Sequence, residues 1–340
     1  MNTPVRFSSR VARLHGSALR TIFNAIDSGN IISFAGGLPA PDSFPDFEEG
    51  FLEQIPDVMQ YGTSAGEWPL RQRIASKITQ SGLAVSPEQI LILSGSQQGI
   101  DLVAKLFIDF GTEVAVESPT YLAALQVFTF FGARYRSFRP GCSSDLELLG
   151  KPSLLYTNPT FQNPSSAVYS HEERLALAEY CDSNATVLFE DDPDRELVYE
   201  SCETTPVCAH IESSSWIYQS SFSKSLCPGL RLGFLASSED LVEPLLHLKQ
   251  AADLHSSRIS QALVMQALQS TDADDRLTHN IALYRELRDH FNECLVAEFG
   301  GIADWSVPAG GLFFWLQLKP GIVVDMANLL KASLLSLIHI

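Results

Sequence analysis

The amino-acid sequence predicts an α/β protein: a large domain on a mostly parallel sheet, with a smaller α+β region beside it. Three observations predict it. Seven strand candidates recur between residues 89 and 237, the segments between them have room for helices, and two of those segments carry helical signals. At 340 residues and 45% hydrophobic content, the chain can bury one large domain and a smaller one. Alternating strands and helices give a parallel sheet covered on both faces, with ligands beyond the carboxyl ends of the strands.

In chain order, "QILILSG" (89–95) is the first strand. "SQQGIDLVAKLFIDF" then has helical spacing until Gly111 stops it. "TEVAVESP" (112–119), "ARYRSF" (133–138), "SLLYTNP" (153–159), "ATVLFEDD" (185–192), "SSWIYQSS" (214–221) and "LRLGFLAS" (230–237) follow as strands. "SHEERLALAEYC" (170–181) opens with a capping box, Ser170 to Glu173, and predicts a helix.

The formal net charge of −17 disfavours nucleic acid and anionic membranes as partners. No apolar run is long and uncharged enough to span a bilayer, and "MNTPVRFSSR" lacks the apolar core of a secretory signal. The six cysteines (142, 181, 202, 208, 227, 294) make no CxxC pair and no metal-ligand spacing, so they read as reduced cytosolic thiols. A cytoplasmic protein without a metal is expected.

Five bunches of polar residues lie at predicted strand ends. "SGSQQG" (94–99) hands a strand to a helix, where free N–H groups and the helix dipole suit a phosphate, although most such turns bind nothing. "ESPTY" ends in Tyr121, either a stacking aromatic or a core tyrosine. "NPTFQNP" puts Asn158 and Asn163 on a proline-shaped loop. "FEDDPDREL" is either a solvated acidic turn or a carboxylate placed for a cationic ring nitrogen. "SSFSKSLCPGLRLG" carries hydroxyls, Lys224 and Arg231, where a solvated lysine is the ordinary alternative. Together they ask for a ligand with a phosphate, a flat ring, a basic ring nitrogen, a phenolic oxygen and a carbonyl. Pyridoxal 5'-phosphate has all five, with Lys224 as its Schiff-base partner. A phosphosugar would leave the acid, the aromatic and the lysine unexplained.

The sequence also resembles a family. "SFAGGLPAPDSFP" (33–45), "YGTSAGEWPLR" (61–71), "SGSQQGIDLV" (94–103), "FQNP" (161–164), "EDDPDREL" (190–197), "SFSKSLCPGLRLGF" (221–234), "AADLH" (251–255) and "PAGGLFFWL" (308–316) run in family order over nearly the whole chain. They resemble the fold type I, class I/II pyridoxal-phosphate-dependent aminotransferases of the 2-aminoadipate, kynurenine and aromatic branch. That resemblance implies an N-terminal arm and part of the small domain over 1–45, a large cofactor-binding domain over 46–245 and an incomplete small domain over 246–340.

It also implies roles. Lys224 would hold the cofactor and move a proton between substrate Cα and cofactor C4′. Asp191 would keep the ring nitrogen protonated, Asn163 would donate to O3′, and Tyr121 would stack on the ring. Gly95, Ser96, Gln97, Ser221, Ser223 and Arg231 would surround the phosphate, with Tyr61 reaching in from the second subunit of a homodimer. Gly36 and Gly37 would approach the substrate by backbone, together with Asn163, and Arg20 matches a position that can meet a distal carboxylate. The substrates would be an amino acid and a 2-oxo acid.

Two departures stand out. The family has tyrosine where this chain has Asp194, and a carboxylate beside a phenolate oxygen is repulsive if ionised. Either Asp194 turns away, or the cofactor's electronics differ. The family also continues past "GGLFFWL" to an arginine that clamps the substrate α-carboxylate, whereas no arginine follows Arg288 here. The last six residues, "LSLIHI" (335–340), match the translation of a transposase mosaic end used in sequencing libraries. The expectation is that the true reading frame is lost near Leu335, a natural apolar helix end being the alternative. Other readings stand beside transamination: a β-lyase or decarboxylase on the same cofactor, an inactive fragment, or the sensor of a transcription regulator. For the last, Met1 to Ile31 would be too short for a DNA-binding module.

Overall fold

Seven short segments pair into one sheet: β1 (Ile90–Leu93), β2 (Glu113–Glu117), β3 (Arg134–Phe138), β4 (Leu154–Thr157), β5 (Val187–Asp191), β6 (Trp216–Ser221) and β7 (Gly233–Ser237). All seven are the segments expected from sequence. A computed structural model describes residues 6–13, 32–33, 37–47, 51, 56–139, 142–325, 328–329 and 338–339. The strand order is β1-β7-β6-β5-β4-β2-β3. Only β7 runs against its neighbours, being antiparallel to both β1 and β6. The β2–β3, β2–β4, β4–β5 and β5–β6 pairs are parallel. The sheet is therefore mostly parallel, and β1, β4 and β7 are buried along their whole length. At the edge, β3 exposes Arg134, Tyr135, Arg136 and Ser137, charges that discourage pairing with another chain.

Strand alternation divides the core in two. On one face, Ile90, Ile92, Leu188 and Tyr218 meet helices α1 (Trp68–Gln80), α5 (His171–Asn184) and α7 (Arg258–Gln269). On the other, Leu93, Tyr156, Phe189 and Ile217 meet α2 (Ser96–Phe107), α3 (Leu122–Phe131) and α6 (Glu239–Asp253). Phe128, Tyr156 and Phe189 are sealed there, each burial contributing about 1.5–3 kcal/mol. The expected capping box at α5 is present, Ser170 Oγ accepting from the Glu173 N–H at 3.2 Å.

The helix expected to run to Gly111 stops at Phe107 instead. Asp109 and Thr112 close a turn, and the Gly111 N–H donates to the Gly132 carbonyl at 2.8 Å, so the backbone finds non-helical partners early. The long helix α8 (Ala273–Phe299) is followed by two antiparallel two-residue strands, β8 (Ala303–Asp304) and β9 (Gln317–Leu318). Asn280 and Tyr284 on α8 hydrogen-bond the 40–43 segment. Ile32–Ser33 pairs in parallel with Ile338–His339.

One glycine in α2 sets how closely that helix approaches β6. A Cβ on Gly99 would collide with the Gln219 side chain of β6 and come within 2.8 Å of Leu93. Gly99→Ala should destabilise the protein by about 1–3 kcal/mol through overpacking, against the stabilisation that alanine ordinarily brings to a helix. Urea unfolding measures this, and a more stable variant would show that helix and strand are not in contact.

Candidate active site

Because β7 is reversed, its amino end lies at the same edge as the carboxyl ends of β1, β2, β4, β5 and β6. That edge collects all five polar bunches.

The turn from β1 into α2 forms a cup. Gly95 caps the helix at φ +81°, and a Cβ there would stand 2.6 Å from Arg231 Nη2. Glycine is thus required both by the backbone and by the guanidinium facing it. Ser96 and Gln97 open the helix, so their N–H groups have no intrahelical acceptor. A Cβ on Gly233 would meet the Ser96 nitrogen at 3.1 Å and the Ser220 carbonyl at 2.9 Å, which brings the β6–β7 end against the cup. Ser221 Oγ accepts from the Ser223 N–H at 3.1 Å. Arg231 is exposed, in the left-handed region at φ 48°, with Nη1 on the Pro228 carbonyl.

Beyond the cup lies Asp191, the last residue of β5. Its Oδ2 accepts from Tyr156 Oη at 2.8 Å and its Oδ1 from Gln219 Nε2 at 3.0 Å. Burial pushes its carboxyl up to about 6 against the pull of those two donors. Asp192 points to the other face, where Arg195 Nη1 (2.9 Å) and Tyr218 Oη (3.2 Å) hold it. Glu190 accepts from the Cys208 N–H at 2.9 Å, and burial, then the charge of Asp192, raise it to about 7. Asp194 is 1% exposed, so it does not turn away to solvent.

Tyr121 stands at the start of α3. Burial first, and then the Asp191 charge, raise its phenol to about 12 against the opposing charge of Arg231. Asn158 donates through Nδ2 to the Asp191 carbonyl and accepts the Asn163 N–H on Oδ1 at 2.6 Å, so it fixes the Asn163 loop to the end of β5. Lys224, half-buried after β6, donates from Nζ to the Gly37 carbonyl at 2.5 Å. Gly37 has φ +53°, and a Cβ there would stand 2.6 Å from Phe313 Cζ, so the "PAGGLFFWL" segment covers it. Tyr61 is not in this cluster: it is 76% exposed and packs edge-on against His255. Gly36 and Arg20 lie outside the described residues. Arg288 is committed elsewhere, to Glu200, Asp289 and the Pro308 carbonyl.

Sequence reasoning misses two supports. Glu117, buried at the end of β2, accepts from Thr157 Oγ1 (2.6 Å), the Asn158 N–H (3.0 Å), Gln162 Nε2 (3.1 Å) and Tyr169 Oη (2.6 Å). It organises the whole 157–163 loop; a carboxylate directly after a buried strand is its signal. Lys249 is fully buried, and its Nζ donates to Asp253 Oδ1 (2.7 Å), Gln98 Oε1 (2.8 Å) and Ser256 Oγ (2.9 Å) beneath the cup. Its signal is the i,i+4 spacing to Asp253.

The arrangement fits pyridoxal phosphate. An anionic tail suits the glycine cup under Arg231. Each Asp191 oxygen holds one donor and keeps a lone pair for a ring N–H.

Residues 30–338 match the model of the family Aminotransferase class I and II. The chain is 32% identical to the aromatic-amino-acid aminotransferase 1 of Thermococcus litoralis over 93% of its own length and 80% of that protein. It is 33% identical to the 2-aminoadipate transaminase of Thermus thermophilus, over 94% of this chain and 83% of that one. Among solved structures, the α-aminoadipate aminotransferase LysN of T. thermophilus, complexed with N-(5'-phosphopyridoxyl)-L-leucine, superposes with a TM-score of 0.88 at 32% identity, covering 98% of this chain and 86% of that one.

The raised carboxyl of Asp191 links its proton to stability. Folded protein holds that proton to about pH 6, whereas an unfolded aspartate releases it near the ordinary value of about 3.9. Stability from this group is complete below the unfolded value and is lost as pH rises through the folded one. In ligand-stripped protein, the stability of wild type relative to Asp191→Asn should therefore fall by up to about 3 kcal/mol from about pH 4 to about pH 7. Urea unfolding at a series of pH values checks this; a flat difference would show an unperturbed carboxyl.

Proposed function

The chain belongs to the class I and II aminotransferase family, and from that membership we propose which of its residues do the work and on what. It is a pyridoxal-phosphate-dependent transaminase. Bound cofactor supplies a carbonyl carbon that amines attack and a ring that withdraws electrons from the substrate Cα.

One observation carries the residue assignment. Strand alternation aims Asp191 to the face of Tyr156, Gln219 and Tyr121, and Asp192 to the opposite face. Only Asp191 is then free to keep a ring nitrogen protonated. Lys224 holds the cofactor and, released by substrate, moves a proton at the substrate Cα. Tyr121 covers the ring, and the Asn163 amide donates to O3′ from a loop that Asn158 and Glu117 hold still. Gly95, Ser96, Gln97, Ser221, Ser223 and Arg231 take the phosphate. Gly36 and Gly37 leave room for substrate backbone atoms, and Arg20 meets a distal carboxylate.

The amino donors we propose are 2-aminoadipate or aromatic amino acids, on the strength of the two relatives' names, with a 2-oxo acid as acceptor. Tyr61, exposed and packed on His255, suits a homodimer in which it completes the partner's phosphate cup. A cytoplasmic location agrees with the free cysteines; among the described residues, no helix is long and apolar enough to cross a membrane.

Borohydride treatment of cofactor-loaded protein should fix the cofactor onto Lys224, and Lys224→Ala should abolish the adduct. Mass spectrometry placing it on Lys249 or Lys105 would overturn the assignment.

Asp191→Asn should lower kcat on the order of 10²-fold or more, as loss of a proton-holding group does. Asp192→Asn should instead lower thermal stability, because it weakens the buried pair with Arg195. Equal losses of turnover would show that the two carboxylates do not differ in role. Product analysis with one amino acid and 2-oxoglutarate separates transamination from elimination or decarboxylation.

A further inference from the structure

Most buried carboxylates around the site have donors, and Asp194 is the exception. Glu117 has four, Asp191 two, Asp192 an arginine and a tyrosine, and Glu190 a backbone N–H. Asp194 sits in the turn after β5, its own carbonyl accepting the Leu197 N–H at 2.9 Å. Neither Oδ1 nor Oδ2 touches solvent or finds a hydrogen-bond partner within the described chain. A carboxylate buried in that way is either neutral or balanced by a cation.

The groups that act on it are few. Lys224 attracts it; Asp192 repels it. Its own charge is felt by Asp191, Tyr121 and Tyr199, all of which are acids. The nearby Arg195 is taken by Asp192. Among the described residues Lys224 is thus the cation whose charge reaches it, with no direct ion pair closed between them, and an ammonium that spends one N–H on the Gly37 carbonyl has two more.

We propose that Asp194 is the counter-ion of the Lys224 nitrogen, a buried anion that keeps this nitrogen cationic both in the free protein and when the nitrogen holds the cofactor. The second half rests on the reading of Lys224 given above. Burial raises the Asp194 carboxyl on balance, and the Lys224 charge is the chief pull against it. A tyrosine at this place, as the resembled family has, donates a hydrogen bond and carries no charge at neutral pH. A carboxylate only accepts. The substitution thus replaces a donor to the cofactor's oxygen with an anion beside the nitrogen, and the proton it favours is the one on nitrogen.

Two measurements test this, neither of them an activity. In ligand-free protein at neutral pH, infrared difference spectroscopy should show no protonated-carboxyl band from Asp194 in wild type. Lys224→Met should produce one, and the double variant Lys224→Met, Asp194→Asn should lose it again. A band already present in wild type, or none in Lys224→Met, would overturn the proposal whatever the cofactor does. In cofactor-loaded protein, the spectral midpoint of the bound chromophore should move down by about one to three pH units in Asp194→Asn. It should also move down in Asp194→Tyr, and stay near wild type in Asp194→Glu, which preserves the charge if the amide variant does not fold. An unmoved midpoint in a folded variant that still binds cofactor would overturn the counter-ion. Wild type forming no chromophore would sink the cofactor reading of Lys224, and with it the second half of the proposal, while the infrared result would still decide the first.

Discussion

Burying negative charge at the end of β5 is the constraint on which the rest of the site depends. Glu190, Asp191 and Asp192 are consecutive and all sealed from solvent, each leaving water at a cost of several kcal/mol unless compensated. Compensation comes from different directions because the strand alternates. Glu190 and Asp192 draw on the α5 side, with Cys208, Arg195 and Tyr218, while Asp191 draws on neighbours in the sheet itself. The parallel register makes the second possible, since it sets Gln219 of β6 directly beside Asp191.

Much of this is legible in the sequence because it obeys local rules. Short apolar stretches mark every strand of the sheet but the charged edge strand β3, and the shared direction of β1, β2, β4, β5 and β6 explains why bunches so distant in sequence meet at one edge. Lys224, Asp191, Tyr121 and Arg231 each stand out as polar residues next to a buried run. The physics behind them is the same: a strand's carboxyl end is where the backbone stops being satisfied by the sheet and side chains take over.

What stays hidden depends on tertiary context. The segment "LAALQVFTFF" is mostly apolar and rich in Phe, so periodicity does not separate helix from strand. It forms α3 because Ala124 and Phe128 pack onto the sheet. Glu117 and Lys249 read as ordinary charges, since nothing local says that four donors, or a carboxylate with a glutamine and a serine, will close around them. Asp194 is visible as a departure, but its burial is not. The end of the helix at Phe107 is set by the Gly132 carbonyl, 21 residues downstream of Gly111.

The contact between Gly99 and Gln219 has a consequence for how the site tolerates change. Gln219 faces α2 at Gly99 with its Oε1 and donates to Asp191 through its Nε2. If the cup takes the phosphate and Asp191 the ring nitrogen, as proposed above, the two ends of the cofactor would be gauged by one side chain. A ligand of another length would have to shift both ends together, and a mutation that loosened one would mis-set the other. The glycine therefore acts as a calibration mark: it sets the span between the β1–α2 cup and the acid at the end of β5.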